Sequence, residues 1–192
     1  MFTGNHLSMQ ELENGLDGIR RSPQDGGVLK LIVRRPAEGQ REVLERGELS
    51  LDDGLVGDYW KAQASRHASD GNLDLSNQIT VMNARAVNLL AQDGARWPLA
   101  GDQLYVDLDL SVENLPSGAQ IAIGTAVIEV TATPHTGCDL FMERFGKDAV
   151  LFVNSPAGKK MRLRGLNARV VKPGVVHTGD KVHKLATPIS HP

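Results

Sequence analysis

Gln103-Leu104-Tyr105-Val106-Asp107-Leu108-Asp109-Leu110 is the stretch whose reading decides the fold. Leu104, Val106, Leu108 and Leu110 alternate with Gln103, Tyr105, Asp107 and Asp109, the period-two pattern of a strand with one apolar face. Downstream, residues 120–123 and 126–132 form a second strand pair around Gly124, with Ile128 and Val130 on one side and Glu129 and Thr131 on the other. Residues 164–172 and 180–185 read as closing strands joined through Pro173-Gly174. Upstream, residues 28–34 follow the Asp25-Gly26-Gly27 turn as a strand, and residues 41–49 return as its hairpin partner. Residues 78–81 are a further short apolar strand. Short strands punctuated by turns predict a mainly β fold: a closed or nearly closed β-barrel with a few short peripheral helices.

Helix signals are local. Ser8-Met9-Gln10-Glu11 is a capping box, and Leu12, Leu16 and Ile19 follow at helical spacing, predicting one short helix to about Arg20. Asn83 is placed to cap a helix running to about Gln92, with Ala84, Val87, Leu90 and Ala91 on one face. Residues 138–145 read as a short helix, and the apolar run 148–153 as helix or strand. Residues 61–75 are polar and aperiodic, which predicts a long loop. The expected organisation is a lead-in at 1–27, the barrel at 28–185 and a tail at 186–192.

Composition bounds the function. The chain has 192 residues with 41% hydrophobic and 23% charged, enough for one domain with a core of its own. The net charge of −2 and an aromatic content of 4% argue against nucleic-acid binding, which draws on many cations and on stacking platforms. No apolar run approaches a membrane span, and residues 1–10 lack the basic and apolar regions of a secretory signal. A single cysteine rules out an intrachain disulfide, and a reducing cytoplasm is the expected compartment.

Cys138 is the first chemical candidate. It follows Pro134-His135-Thr136-Gly137 at the start of a predicted helix, and a helix N-terminus stabilises a thiolate. A thiolate can attack, carry a persulfide or bind a soft metal, and His135 and Arg144 are placed to assist if they fold toward the sulfur. The alternative is a buried, inert cysteine. His135-x-x-Cys138 has no second ligand pair to complete a zinc site. Lys159, Lys160, Arg162 and Arg164 form a basic cluster that can cradle a phosphate or lie solvated at a strand end. Arg66 and His67 can add to an anion site, and Glu113-Asn114-Leu115-Pro116 is either a ligand-orienting element or a turn. Phosphate-binding glycine motifs and a nucleophile elbow are absent from the sequence.

The order of these pieces resembles the MOSC family, the domain named for the C-terminal part of molybdenum cofactor sulfurases. The matching pieces are Gly57-Asp58, residues 78–81, residues 99–101, Glu113-Asn114-Leu115, and residues 123–131 leading to Cys138, followed by residues 164–170, Gly174-Val175-Val176 and Gly179-Asp180-Lys181-Val182. The chain departs from the family at Gly137, where proline is common, and it lacks the His-Gly-Gly element that some members carry after Gly-Asp. The resemblance implies a β-barrel that binds molybdenum cofactor (molybdopterin). Cys138 would be the persulfide carrier or molybdenum ligand. Lys159, Lys160, Arg162 and Arg164 would meet the pterin phosphate, with Arg66, His67, His135 and Asn114 as further pocket candidates. It also implies a pyridoxal-phosphate cysteine desulfurase or a molybdoenzyme acceptor as partner, with pyridoxal phosphate held by the partner. A molybdenum-dependent reductase of N-hydroxylated compounds and a non-catalytic binding barrel are the alternatives.

Overall fold

A computed structural model describes residues 6–67 and 73–186. The chain order is α1 (Met9–Asn14), α2 (Leu16–Arg20), β1 (Gly27–Arg34), β2 (Glu42–Leu44), β3 (Arg46–Ser50), β4 (Gly54–Leu55), α3 (Trp60–His67), β5 (Ile79–Asn83), α4 (Ala84–Ala91), β6 (Leu104–Asp107), β7 (Gln120–Ile123), β8 (Ala126–Val130), α5 (Asp139–Phe145), α6 (Lys147–Asn154), α7 (Pro156–Met161), β9 (Leu166–Lys172), β10 (Gly174–His177) and β11 (Lys181–Lys184). Short 3-10 segments cover Leu75–Asn77 and Gly94–Ala100. No helix among the described residues is long and apolar enough to cross a membrane.

Seven strands close into a barrel in the order β1-β11-β7-β8-β9-β5-β6 and back to β1. The pairs are antiparallel except β5 with β6, which run parallel with Val81 opposite Leu104. That parallel pair needs a crossover connection, and α4 supplies it. β2 extends the sheet beyond β1 as a hairpin partner, while β3 leaves to form a second sheet with β4 and β10. The fold is therefore the mainly β barrel with short helices that the strand spacing predicts.

Two apolar layers hold it. Leu29, Leu104, Val106, Ile121, Ile128 and Val170 fill the barrel interior. Outside the wall, Met82 and Tyr105 pack beneath a helical layer that includes Leu12, Val87, Phe141 and Phe152. The decisive alternation thus has two buried faces. Leu104 and Val106 point to the interior, and Tyr105, fully buried, points to the helices and donates its hydroxyl to the Trp97 carbonyl at 2.9 Å. Burial pushes the Tyr105 phenol far above its usual range.

Several local expectations need correction. The N-terminal helix breaks at Gly15 into α1 and α2, since glycine is a poor helix former. The Ser8–Glu11 capping box is present as read. The predicted loop at 61–75 begins as α3. Lys61, Ala62, Gln63, Ala64 and Arg66 favour helix, but with no apolar stripe the periodicity test misses them. The Asp58 carboxylate accepts the Trp60 N–H at 2.9 Å, and the buried Trp60 ring donates to Asn77 at 3.0 Å, anchoring that helix. Residues 68–72 of the predicted loop and 187–192 of the predicted tail lie outside the described residues. The run 148–153 is helical, within α6. The basic cluster sits at the end of α7, not on a strand, and β9 begins only at Leu166. Pro173-Gly174 leads into β10 before the chain returns as β11.

Asn83 ties wall to helix. Its side-chain oxygen accepts the Arg85 and Ala86 N–H groups at 2.8 and 2.9 Å, and its amide donates to Ser22 Oγ and the Leu108 carbonyl. Asn83→Ala removes a cap and strands buried groups, so we expect a loss of about 2 kcal/mol in chemical denaturation.

Candidate functional site

The segment from Thr131 to Cys138 joins β8 to α5 and is fastened from two sides. Buried Asn167, on β9, donates to the Thr133 and Pro134 carbonyls at 3.2 and 3.3 Å. Asn154, at the end of α6, forms a reciprocal pair with the Gly137 peptide. It accepts the N–H at 2.9 Å and donates to the carbonyl at 3.0 Å. The next residue, Cys138, is exposed and occupies the N-cap position of α5 in extended conformation. Its carbonyl accepts the first helical N–H, from Met142, at 3.0 Å. The sulfur is thus held on a pinned backbone at a helix start and open to solvent.

Beneath this loop lies a buried polar layer. Asp102, fully buried, accepts Arg164 Nη1 at 2.7 Å, and Arg164 Nη2 donates to the Ala100 carbonyl at 2.9 Å. The Arg164 guanidinium lies over the Phe141 ring, 4.8 Å from its centroid, within the first turn of α5. His135 Nδ1 is 3.5 Å from the second Asp102 oxygen. Burial, reinforced by the charges of Arg164 and Arg35, holds the His135 pKa well below its usual value, so this contact joins a neutral imidazole to a carboxylate and is not an ion pair. Burial raises the Asp102 pKa, opposed by Arg164. Asp102 Oδ1, His135 Nδ1 and Arg164 Nε are buried with no hydrogen-bond partner. Such atoms are uncommon and invite a ligand or water. Gly165 adopts φ +112°, and a Cβ there would stand 2.4 Å from the Val81 carbonyl, so this crossing beside His135 admits only glycine.

The sequence-predicted residues separate into groups. His135, Lys159, Arg162 and Arg164 line one cavity of about 260 Å3, walled also by residues 131–134 and 165–167. Thr136, at its rim, lies two residues before Cys138. Arg162, in a left-handed conformation, donates to the Leu115 carbonyl at 2.6 Å, and burial lowers its pKa. Lys160 borders a different groove, with Asp109 and Glu113. Asn114 is a strut, donating to the Gln24 and Asp109 carbonyls and accepting from Lys184. Arg66 stacks over Tyr59, 5.4 Å from its ring centroid, and donates to its hydroxyl. His67 is the last residue of α3, and its side chain is outside the described set. Arg144 donates to the Leu99 carbonyl at 2.8 Å. Among the described residues no three His, Cys, Asp or Glu side chains form a metal cage.

Asp102 and Asn154 escaped the sequence reading, and Asn167 entered it only inside the family stretch 164–170. Asp102 follows Gly101, so it reads as a turn residue, and the two asparagines act through backbone groups that no motif encodes. Arg35 was also missed. It is clamped by buried Asp58 at 2.7 and 3.0 Å, and Gly57-Asp58 was visible only as part of the family pattern.

Residues 65–183 match the MOSC domain model, and the chain belongs to that family. The family is associated with molybdenum cofactor binding. Among solved structures, the chain is similar to the YuaD protein from Bacillus subtilis, with a TM-score of 0.60 and 17% identity over 83% of this chain and 97% of that one. It is also similar to YiiM from Escherichia coli, with a TM-score of 0.53 and 18% identity over 83% and 70% of the two chains. YiiM from Geobacillus stearothermophilus gives a TM-score of 0.51 and 13% identity over 86% and 75%. At these identities the likeness is one of fold. No curated protein matches the sequence significantly.

Two predictions follow from the polar layer. Asp102→Ala leaves Arg164 buried without its carboxylate and should cost about 3–5 kcal/mol in urea denaturation. Because the His135 pKa is depressed in the fold, the unfolded chain binds the extra proton. The His135 contribution to stability should therefore fall as pH drops below about 6.5, by up to about 1.4 kcal/mol per pH unit, while Asp102, whose pKa is raised in the fold, contributes in the opposite direction. Comparing denaturation midpoints between pH 7 and 5 should show that component missing in His135→Gln, while an equal slope in both proteins would assign it elsewhere.

Proposed function

We propose that this MOSC-domain protein binds the molybdenum cofactor and carries sulfur on Cys138. The observation that carries the reading is the setting of the chain's one cysteine: exposed at the start of α5, on a backbone pinned by Asn154, two residues after a segment that walls a cavity lined by cations.

The residues suit the cofactor. A cysteine thiolate is a soft donor compatible with molybdenum. Lys159 and Arg162 face the cavity and can engage a phosphate, while His135 and Arg164 line the same cavity. When bound, the cofactor supplies a metal centre with its pterin sulfurs. Cys138 would hold the metal side, and Lys159 and Arg162 the phosphate side. Arg164 is committed to Asp102, so it shapes the cavity floor.

Sulfur loading is an exchange between thiol groups. The Cys138 thiolate attacks the outer sulfur of a donor persulfide, a new S–S bond forms on Cys138, the donor's S–S bond breaks, and the donor leaves as a thiolate that takes up a proton. The fitting donor is a pyridoxal-phosphate cysteine desulfurase, which retains its own pyridoxal phosphate, and the fitting acceptor is a molybdoenzyme. An accessible thiolate is the requirement, and Cys138 is exposed.

The test pairs wild type with Cys138→Ser, treated with a cysteine desulfurase and free cysteine and read by intact mass. We expect one reducible sulfur per wild-type chain and none on the variant, with equal melting temperatures. A wild type that alkylates freely at Cys138 yet takes no sulfur would overturn sulfur carriage. Molybdenum per chain after co-expression with cofactor synthesis tests the binding half, and metal equal to background in the wild type would overturn it.

A further inference from the structure

Four arginines converge on one bend. Pro98, Leu99, Ala100 and Gly101 present successive carbonyls, and each accepts from a different guanidinium: Arg41 Nε at 3.2 Å, Arg144 Nη1 at 2.8 Å, Arg164 Nη2 at 2.9 Å and Arg35 Nη1 at 3.2 Å. Two of these charges are compensated, Arg164 by Asp102 and Arg35 by Asp58. Arg41 and Arg144 have no carboxylate partner among the described residues. Burial lowers the Arg41 pKa, and the charges of Arg144 and Arg35 push it the same way. Asp58 and Tyr105 oppose this, but Asp58 is already clamped by Arg35.

Both guanidinium groups keep unused N–H groups. Arg41 spends Nε on Pro98 and Nη1 on the Gln40 carbonyl, leaving Nη2. Arg144 spends one N–H of Nη1, leaving the second Nη1 hydrogen, Nε and Nη2. Gly101 has φ +92°, and the point its missing Cβ would occupy lies 3.7 Å from Arg41 Nη2 and 3.9 Å from Arg144 Nη1, with no other atom beyond its chain neighbours within 4 Å. The carbonyl bonds fix both forks in place, so little side-chain freedom remains to be lost on binding. Two uncompensated guanidinium groups beside the bare face of Gly101 suit a tetrahedral oxyanion, whose several oxygens can each meet a donor.

We propose that Arg41 and Arg144, over the bare face of Gly101, bind one phosphate group. The site is separate from the Lys159 and Arg162 cavity and does not depend on the sulfur reading. Arg144 lies six residues beyond Cys138 on the same helix, about 9 Å along its axis, so a phosphate here can belong to an organic ligand reaching the thiol or be a free ion.

The experiment titrates inorganic phosphate, and separately phenyl phosphate, into the full chain at constant ionic strength by calorimetry. We expect wild type to bind, Arg41→Gln/Arg144→Gln to lose one site by about tenfold or more, and Lys172→Gln, at an exposed cation outside both cavities, to bind as wild type; any second site lost only in Lys159→Gln/Arg162→Gln belongs to the other cavity. Tighter binding of the ester assigns the site to an organic phosphate, and tighter binding of the ion assigns it to free phosphate. No binding by wild type, unchanged affinity in the double arginine variant, or a loss confined to the Lys159 and Arg162 variant would overturn the proposal. Because the arginines also hold the bend, a second readout uses native protein: phosphate should protect Arg41 and Arg144 from phenylglyoxal, mapped by peptide mass, and absence of protection would equally overturn it. Loss of sulfur carriage in Cys138→Ser with phosphate binding intact separates the two readings.

Discussion

Two residue pairs close this molecule: Gly27 opposite Val182 and Val28 opposite Lys181. They join β1 to β11 and turn an open sheet into a barrel without free edges along its wall. Closure encloses the interior layer and leaves an outer wall on which the helices pack. With β5 and β6 built into the wall, the bend at residues 98–102 and the strap from Thr131 to Cys138 come together over the outer face. The candidate chemistry therefore stands on the wall of the barrel, and the lumen is filled by aliphatic side chains.

That outer wall also explains the electrostatics. A sheet face covered by helices has no solvent to stabilise charge, so each ionised group on it must find a partner or lose its charge. Asp102 finds Arg164, Asp58 finds Arg35, and His135 stays neutral. The arginines left over are drawn to backbone carbonyls at the end of the 3-10 segment, where partial negative charge gathers. A single bend thus organises both the polar layer that meets His135 and the pair of arginines over Gly101.

How much of this the sequence carries depends on the kind of interaction. The strands of the barrel were readable because Leu104, Val106, Ile128 and Val130 alternate, and alternation is a local record of a buried face. Asn83 and Ser8 were readable because capping is local chemistry. The second buried face of β6 was not, since Gln103 and Tyr105 look like solvent-facing residues until a helical layer covers them. α3 was hidden because an exposed polar helix leaves no periodic trace. At the site, sequence adjacency misled: Lys159 and Lys160 are neighbours in the chain yet border different openings. Conversely, Arg35, Arg41, Arg144 and Arg164 are scattered and meet only through carbonyls, acceptors every residue possesses.

The same closure has a kinetic side. The strands that seal the barrel come from opposite ends of the described chain, so their pairing bears the largest loop-closure entropy in the fold. Hairpins such as β7–β8 close short loops, whereas pairing β1 with β11 closes the longest, which favours a late seam. Until that moment two strands carry open edges able to pair with another copy of the chain. The seam is then the last part to form and the most exposed to misassembly, and the rate of barrel closure would govern how cleanly this protein folds.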